Sequence, residues 1–130
     1  MSTAAGVSSQ GRPRVILDVE LERGFFYFVL KNIGDEPATK VVTKIGGKIV
    51  GPDGKKDING LAIFRSLEFV PPGREFRILV GSAAAYFSTK QPTKFTAVIT
   101  YSDGGKNSYG ETIAHDLSIY EDLPRALERD

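Results

Sequence analysis

Residues 30–42, LKNIGDEPATKVV, determine how the chain passes from one strand to the next. The stretch interrupts an apolar run with turn-forming residues up to Pro37, and strand-like residues resume at Lys40. Asn32 and Gly34 tolerate a positive φ, and aspartate and proline are residues that start and shape turns. The stretch is therefore predicted to be a turn that joins two strands.

The same stretch carries two acids, Asp35 and Glu36, that could help to bind a cation. A calcium loop usually concentrates more acidic ligands than these two. We therefore expect Asp35 and Glu36 to be solvated acids in the turn. The alternative is a ligand or cation loop at one end of the fold, in which Asp103 from a later turn joins them.

Seven short segments of the sequence have the pattern of β-strands. Residues 14–22 alternate between apolar and polar, as a strand with one buried face does. Residues 25–30 are apolar throughout, which indicates a central strand or a strand whose outer face is covered. The other candidate strands span residues 40–50, 61–70, 75–80, 94–101 and 108–120. Seven strands at this spacing predict an all-β, immunoglobulin-like or fibronectin III-like Greek-key β-sandwich.

Turn and cap residues separate these strands. Bends or turns are predicted at Gly46-Gly47, Pro52-Asp53-Gly54 and Ser102-Asp103-Gly104-Gly105. Ser82 could cap a short helical turn near residues 82–88, and Asp122 could cap a short helical C-terminal tail. The predicted organisation is a flexible leader at 1–13, one sandwich domain at 14–120 and a tail at 121–130.

Composition bounds the classes of function. A chain of 130 residues is long enough for one domain with a single core. Its 17 basic and 16 acidic residues give a net charge of +1, which provides no field for a phosphate backbone, so we expect no nucleic-acid partner. The chain has no cysteine, which excludes thiolate metal sites and thiol nucleophiles, and no cofactor is predicted.

The N-terminal residues lack the apolar core of a signal peptide, and no part of the chain has the roughly 18 successive apolar residues of a membrane helix. We therefore predict no signal peptide and no membrane span in this chain. The compartment stays open, because the sequence fits a cytoplasmic protein and also a cell-envelope domain cut from a longer, anchored protein.

The sequence offers little for catalysis or metal binding. His115 is the only histidine, and the parity of its predicted strand places Asp116 on the opposite face. A partly buried His115 that hydrogen-bonds a neighbouring group is therefore expected instead of a catalytic dyad. Residues 53–60 superficially match a calcium loop, but they place Lys55 at the first ligand position, where an ammonium group repels the ion. No enzyme activity and no metal site are predicted.

A spaced motif supports the fold prediction. Around the second and third predicted strands the sequence reads Phe28-x-Leu30-x-Asn32-x-Gly34-x-x-Pro37-Ala38-x-x-Val41. With the later turn at Pro72-Gly73, this pattern resembles bacterial immunoglobulin-like domains of the CARDB type, in which V-x-N-x-G-x-x-P-A joins the second and third strands. The resemblance covers about residues 14–120 and implies the sandwich fold and an adhesive or spacer role.

Aromatic residues provide the remaining candidate for function. Phe25, Tyr27 and Val29 share the second face of the second predicted strand and could form an exposed platform for a protein partner. The alternative is that the leader, the tail or loop residues such as Tyr86 and Phe87 cover this face.

We predict a non-catalytic binding or structural module that makes protein-protein contacts, or self-associates, through the platform or by adding a strand at a sheet edge. A sandwich whose end loops bind carbohydrate or calcium is the alternative function.

Overall fold

The computed structural model describes residues 11–50 and 57–122, which form seven strands and three short α-helices. The strands are β1 Val15–Glu22, β2 Phe25–Asn32, β3 Ala38–Ile45, β4 Leu67–Val70, β5 Glu75–Ser82, β6 Lys94–Ser102 and β7 Ser108–Asp116. The helices are α1 Ala62–Arg65, α2 Ala83–Ser88 and α3 Ser118–Asp122, and a 3-10 turn at Ile58–Gly60 precedes α1.

The strands form two antiparallel sheets. One sheet has the order β1-β2-β5 and the other has the order β4-β3-β6-β7. The chain leaves the first sheet after β2, returns to it for β5 and leaves it again for β6, which are the Greek-key connections of a sandwich. The predicted all-β sandwich of about seven strands is confirmed.

The core lies between the two sheets and is built by the alternation of side chains along each strand. In β2 the inward residues Phe26, Phe28 and Leu30 are completely buried, and in β6 every second residue from Phe95 to Tyr101 is buried. Phe28 and Phe95 meet across the core with their ring centroids 5.5 Å apart. Burying a large apolar side chain of this kind contributes about 1.5–3 kcal/mol relative to leaving it exposed.

The predicted strand at residues 61–70 is wrong in its first half. A 3-10 turn, in which the carboxylate of Asp57 accepts the N–H of Asn59, leads into α1, and only β4 is extended. The turn and the helix bury Ile58 and Phe64 in the core. Packing against the sheets therefore overrides the strand-like composition of this segment.

The last predicted strand ends at Asp116 instead of Tyr120. The carboxylate of Asp116 accepts the N–H of Ser118 at 2.9 Å and its hydroxyl at 2.7 Å, which starts α3. The same hydrogen bonds lower the pKa of Asp116, so the carboxylate stays charged as a cap. The helix α3 lies at the end of the segment that was predicted to be the last strand.

The third strand also differs from its predicted bounds of 40–50. Gly46-Gly47 ends β3 instead of forming a bulge within it, and Gly47 has a φ of 94°. The irregularity of β3 lies at Lys40, which has a φ of 51° at the point where the register against β6 shifts.

Two local predictions are confirmed. The hydroxyl of Ser82 accepts the N–H of Ala85 at 3.1 Å and starts α2, and the turn after Ser102 joins β6 to β7. Three predictions fall outside the described residues, namely the first ten residues of the leader, the turn at Pro52-Asp53-Gly54 and the tail after residue 122.

Candidate functional site

The outer face of the smaller sheet carries the residues predicted to bind a partner. Phe25, Tyr27 and Val29 alternate with the buried residues of β2 and point away from the core. Phe25 is 43% exposed and Tyr27 is partly buried, whereas Val29 is only 3% exposed. Val29 is therefore not accessible to a partner, and the accessible part of the predicted platform is the Phe25 end.

Leu79 of β5 joins Phe25 at this surface. It lies opposite Tyr27 in the β2–β5 ladder and is 39% exposed. We name the surface formed by Phe25, Tyr27 and Leu79 the Phe25 patch. Sequence reasoning missed Leu79, although a signal was present: the even-numbered apolar residues of this strand face the core, so an apolar residue at 79 must face outward.

A groove extends the Phe25 patch towards α2. It has a volume of about 550 Å³ and is lined mainly by apolar atoms, from residues that include Phe25, Leu79, Ser82, Ala85, Tyr86 and Gln91. The Tyr86 side chain is otherwise buried, and its hydroxyl donates to the carbonyl oxygen of Pro92. Burial raises the pKa of Tyr86 to about 12, so this hydroxyl stays neutral at physiological pH.

Tyr86 and Phe87 do not shield Tyr27. Their rings pack edge-on against Phe26, with centroid distances of 5.5 Å and 5.7 Å. Because Phe26 points into the core, these two rings lie on the inner side of β2 and do not cover Tyr27.

A charged network crosses the Phe25 patch. Arg77 of β5 forms ion pairs with Glu20 and, at 2.7 Å, with Glu22, both on β1. To reach these acids the guanidinium passes over β2, where it lies 4.5 Å from the ring centroid of Tyr27. The hydrogen bond to Glu20 is the main cause that raises the pKa of Arg77. The patch therefore has an apolar end and a charged side.

Asn32, in the stretch that joins β2 to β3, is a buried centre of hydrogen bonding. Its side chain is inaccessible to solvent, and Oδ1 accepts the N–H groups of Arg14 and Gly34 at 3.1 Å and 2.9 Å. Its Nδ2 donates to the carbonyl oxygens of Glu36 and Val70 at 2.8 Å and 2.9 Å. The expectation that Asn32 serves through tolerance of a positive φ is wrong, because it ends β2 and ties together distant segments.

Gly34 is needed for a close approach of two chain segments and not for a positive φ. A Cβ at this position would lie 2.4 Å from the carbonyl oxygen of Arg12 and 2.5 Å from the backbone nitrogen of Arg14. Asp35 fastens the same segment, because its carboxylate accepts the N–H groups of Gly11 and Arg12 at 2.6 Å and 3.2 Å. Asp35 is exposed, as expected of a solvated acid in the turn, and it also holds the N-terminal segment in place.

The three acids of the predicted cation loop are not brought together. Asp103 lies in the hairpin between β6 and β7, where its carboxylate accepts the side-chain amide of Asn107 at 3.0 Å. This hydrogen bond is the main cause that lowers the pKa of Asp103. In the part of the chain that the structure describes, no three side chains of His, Cys, Asp or Glu form a group that could hold a metal ion. Asp35, Glu36 and Asp103 therefore form no cation site here.

Arg12 anchors the N-terminal segment to the larger sheet. Its Nη2 lies 3.3 Å from Oε2 of Glu111 and donates to the hydroxyl of Tyr101 at 3.0 Å, while its guanidinium lies 4.3 Å from the ring centroid of Tyr109. The Tyr101 hydroxyl donates to Glu111 at 2.8 Å, and burial followed by this bond raises the pKa of Tyr101. Sequence reasoning missed this network, because its members lie far apart along the chain.

The only histidine holds the two sheets together. His115 points inward from β7, and its Nε2 lies 2.8 Å from the carbonyl oxygen of Leu17 on β1. Its ring also packs against Phe95 of β6, with centroids 5.4 Å apart, whereas Asp116 is exposed. The prediction of a partly buried His115 that is bonded to a neighbouring backbone group is confirmed.

The fold and these contacts define an all-β sandwich whose buried polar residues hold chain segments and sheets together. Within residues 11–50 and 57–122, no helix has the length and apolar character needed to cross a membrane. The chain belongs to the family described as a domain of unknown function (DUF8453), whose family model matches residues 3–121. The comparisons with curated proteins and with solved structures gave no match.

Proposed function

We propose that this protein is a non-catalytic binding module that contacts a protein partner through the Phe25 patch. The observation that carries the proposal is the pair of exposed apolar side chains, Phe25 and Leu79, on adjacent strands of the outer face. The water-facing side of an antiparallel sheet is normally polar. Exposed apolar side chains that adjoin a groove are therefore typical of a contact surface.

The surroundings of the patch fit the anatomy of a protein interface, which has an apolar centre and a polar rim. The groove adjoins the apolar end, and the ion pairs of Arg77 with Glu20 and Glu22 form the rim. Two acids share this one guanidinium, so the rim favours a partner that brings basic side chains around an apolar residue.

A binding role is favoured over catalysis because His115 and Glu111 are already held by other groups of the protein. His115 is bonded to a backbone carbonyl, and Glu111 is held by Arg12 and Tyr101. Neither His115 nor Glu111 lines the groove beside the patch. A catalytic acid or base must be able to reach a substrate, and the contacts of His115 and Glu111 hold both side chains within the protein.

We also propose an architecture related to the CARDB-type domains. In support, the motif residues from Asn32 to Ala38 join β2 to β3, and Pro72-Gly73 lies between β4 and β5. The adhesive or spacer role of such domains agrees with an exposed contact surface on a rigid sandwich.

The proposal is tested with substitutions that are matched in exposure. Leu79 and Val98 are each 39% exposed and lie on different sheets. A partner protein is first captured from an extract of the source cells and purified. Its affinity for the Phe25→Asn/Leu79→Asn variant should be at least about 30-fold lower than its affinity for the unaltered protein. Val98→Asn should bind like the unaltered protein, and thermal unfolding should verify that each variant is folded. Equal binding by all three proteins would overturn the proposal.

A further inference from the structure

The two open sheets have four edge strands, which are β1, β5, β4 and β7. Every second residue of an edge strand turns its N–H and C=O groups away from its own sheet. Such an edge pairs with another extended strand unless side chains, charges, bulges or short length prevent this. The four edges of this protein differ in that protection.

Side chains cap the edge of β1. The carbonyl oxygen of Leu17 is held by His115 at 2.8 Å, and the N–H of Val19 donates to the carboxylate of Asp18 at 2.8 Å. Two of the backbone groups that a new strand would need at the centre of β1 are therefore already bonded.

The edge of β4 is short and partly occupied. The strand has four residues, and Nδ2 of Asn32 donates to the carbonyl oxygen of Val70 at 2.9 Å. Glu68, the other residue with this parity, adds an exposed charge. This edge offers little length for pairing.

The edge of β5 is protected by charge. Arg74 pairs with Asn32 of β2, so the alternate residues Glu75, Arg77 and Leu79 turn their backbone groups outward. The fullest antiparallel self-pairing of these residues would be centred on Arg77 and would place it opposite Arg77 of a second copy. Like charges directly opposite each other destabilise a sheet.

Among residues 11–50 and 57–122, neither a capping side chain nor an outward-facing charge at its centre protects the edge of β7. The N–H of Leu117 donates to the carbonyl oxygen of Thr93 at 2.7 Å in the register of the β6–β7 ladder, so the odd-numbered residues of β7 bond to β6. Gly110, Thr112 and Ala114 therefore turn their backbone groups outward, and no other described residue bonds to these groups. All three residues are exposed, and Gly110 has no side chain while those of Thr112 and Ala114 are small and uncharged.

The polar side chains of β7 that point inward do not block this edge. Glu111 is bound by Arg12 at 3.3 Å, and His115 is bound by the carbonyl of Leu17 at 2.8 Å. Both are thus directed into the sandwich and away from the free backbone groups.

We propose that two copies of this chain pair through β7 and form a two-fold symmetric dimer. Antiparallel pairing over the whole of β7 places Thr112 opposite Thr112 of the second copy and Gly110 opposite Ala114. No described residue bonds to the outward backbone groups of Gly110, Thr112 and Ala114, so the pairing satisfies these groups without breaking any bond to β6. The four-stranded sheets of the two copies then form one continuous sheet.

The sequence of β7 also selects this register. Full overlap places Glu111 opposite Ile113 of the second copy, which brings no like charges together. A slip by two residues in one direction would place Glu111 opposite Glu111 of the second copy, where the like charges repel. A slip in the other direction would shorten the overlap of the two strands and lose backbone pairs at the strand end. The dimer leaves the Phe25 patch open, because its strands β2 and β5 belong to the other sheet.

The oligomeric state of the full chain tests the proposal. Sedimentation equilibrium from micromolar to millimolar concentration should show a species of twice the 14.2 kDa of one chain. Thr112→Lys places like charges opposite each other at the centre of the pairing and should raise the dissociation constant at least about tenfold. Thr100→Lys adds the same charge at an exposed position of β6 and should leave the constant unchanged. A monomer at all concentrations, or equal effects of the two substitutions, would refute the dimer.

A single introduced thiol gives an independent readout, because the chain has no cysteine. Residues opposite each other in a hydrogen-bonded antiparallel pair have Cα atoms about 5.5 Å apart, which a disulfide can span. Oxidised Thr112→Cys should therefore become a covalent dimer, whereas Thr100→Cys should not. Equal crosslinking of the two variants would show that β7 is not the interface.

Discussion

Replacing Asn32 by alanine should remove a large part of the stability of this protein. The amide makes four hydrogen bonds, to the N–H groups of Arg14 and Gly34 and to the carbonyl oxygens of Glu36 and Val70. Asn32 is itself inaccessible to water. Alanine would leave these backbone groups without this partner, and each group that stays unsatisfied in a buried site costs about 1–3 kcal/mol.

The size of the effect depends on which groups water can reach. Glu36 is exposed and Gly34 is partly exposed, so water can replace the amide there, whereas Val70 is completely buried and Arg14 lies beneath the connecting stretch. Counting the two less accessible groups at full cost gives a loss of about 2–6 kcal/mol. Domains are stable by about 5–15 kcal/mol, so the melting temperature should fall by about 10 °C or more.

Urea unfolding followed by far-ultraviolet circular dichroism measures this loss, since the chain has no tryptophan. Asn59→Ala is the matched control, because Asn59 makes two side-chain bonds to the backbone of Ile45, at 2.7 Å and 2.8 Å, and is partly exposed. The control should cost about 1–2 kcal/mol. The account of Asn32 is refuted if its alanine variant loses no more stability than Asn59→Ala.

Three further substitutions have expected outcomes. Gly34→Ala should cost about 1–3 kcal/mol in urea unfolding because its Cβ would lie 2.4 Å from Arg12, whereas Gly46→Ala, with its nearest contact at 3.5 Å, should cost less. Burial raises the pKa of Tyr86 to about 12 from 10.0, so the folded state keeps a proton that the unfolded chain loses above pH 10. Stability that is complete below pH 10 should therefore decline as the pH rises towards 12, and Tyr86→Phe should flatten this decline of the urea midpoint; an unchanged slope would contradict the assignment. Arg77→Gln should cost less than about 1 kcal/mol, and the difference should shrink in high salt, because its ion pairs are partly exposed.

Much of the fold followed from local patterns. The apolar run at residues 25–30 and the alternation at residues 94–101 identified two strands, β2 and β6, whose inward residues are buried. The Ser82 cap and the hairpin after Ser102 were also predicted, since each depends on residues only a few positions apart. Local patterns failed at residues 61–70, where Phe64 enters the core from a helix and not from a strand.

The candidate site was only partly predictable, for the same reason. Parity placed Phe25 and Tyr27 on the outer face, but Val29 on that same face is nearly inaccessible. Its neighbours across the ladders are Asp18 and Arg77, and the pairing of these strands is not contained in any one segment. Leu79 could have been found from the parity of β5, whereas the groove beside it could not.

The stretch LKNIGDEPATKVV shows which features the sequence determined and which features the tertiary structure determined. Its amino-acid order alone specified a connection between two strands, because alternation and turn chemistry act over a few neighbouring residues. The roles of Asn32, Gly34 and Asp35 became visible only when distant segments were in place, since their partners include Arg12, 20 or more residues away, and Val70. Hydrogen bonding and close packing depend on distance in space, and the fold alone brings these residues together.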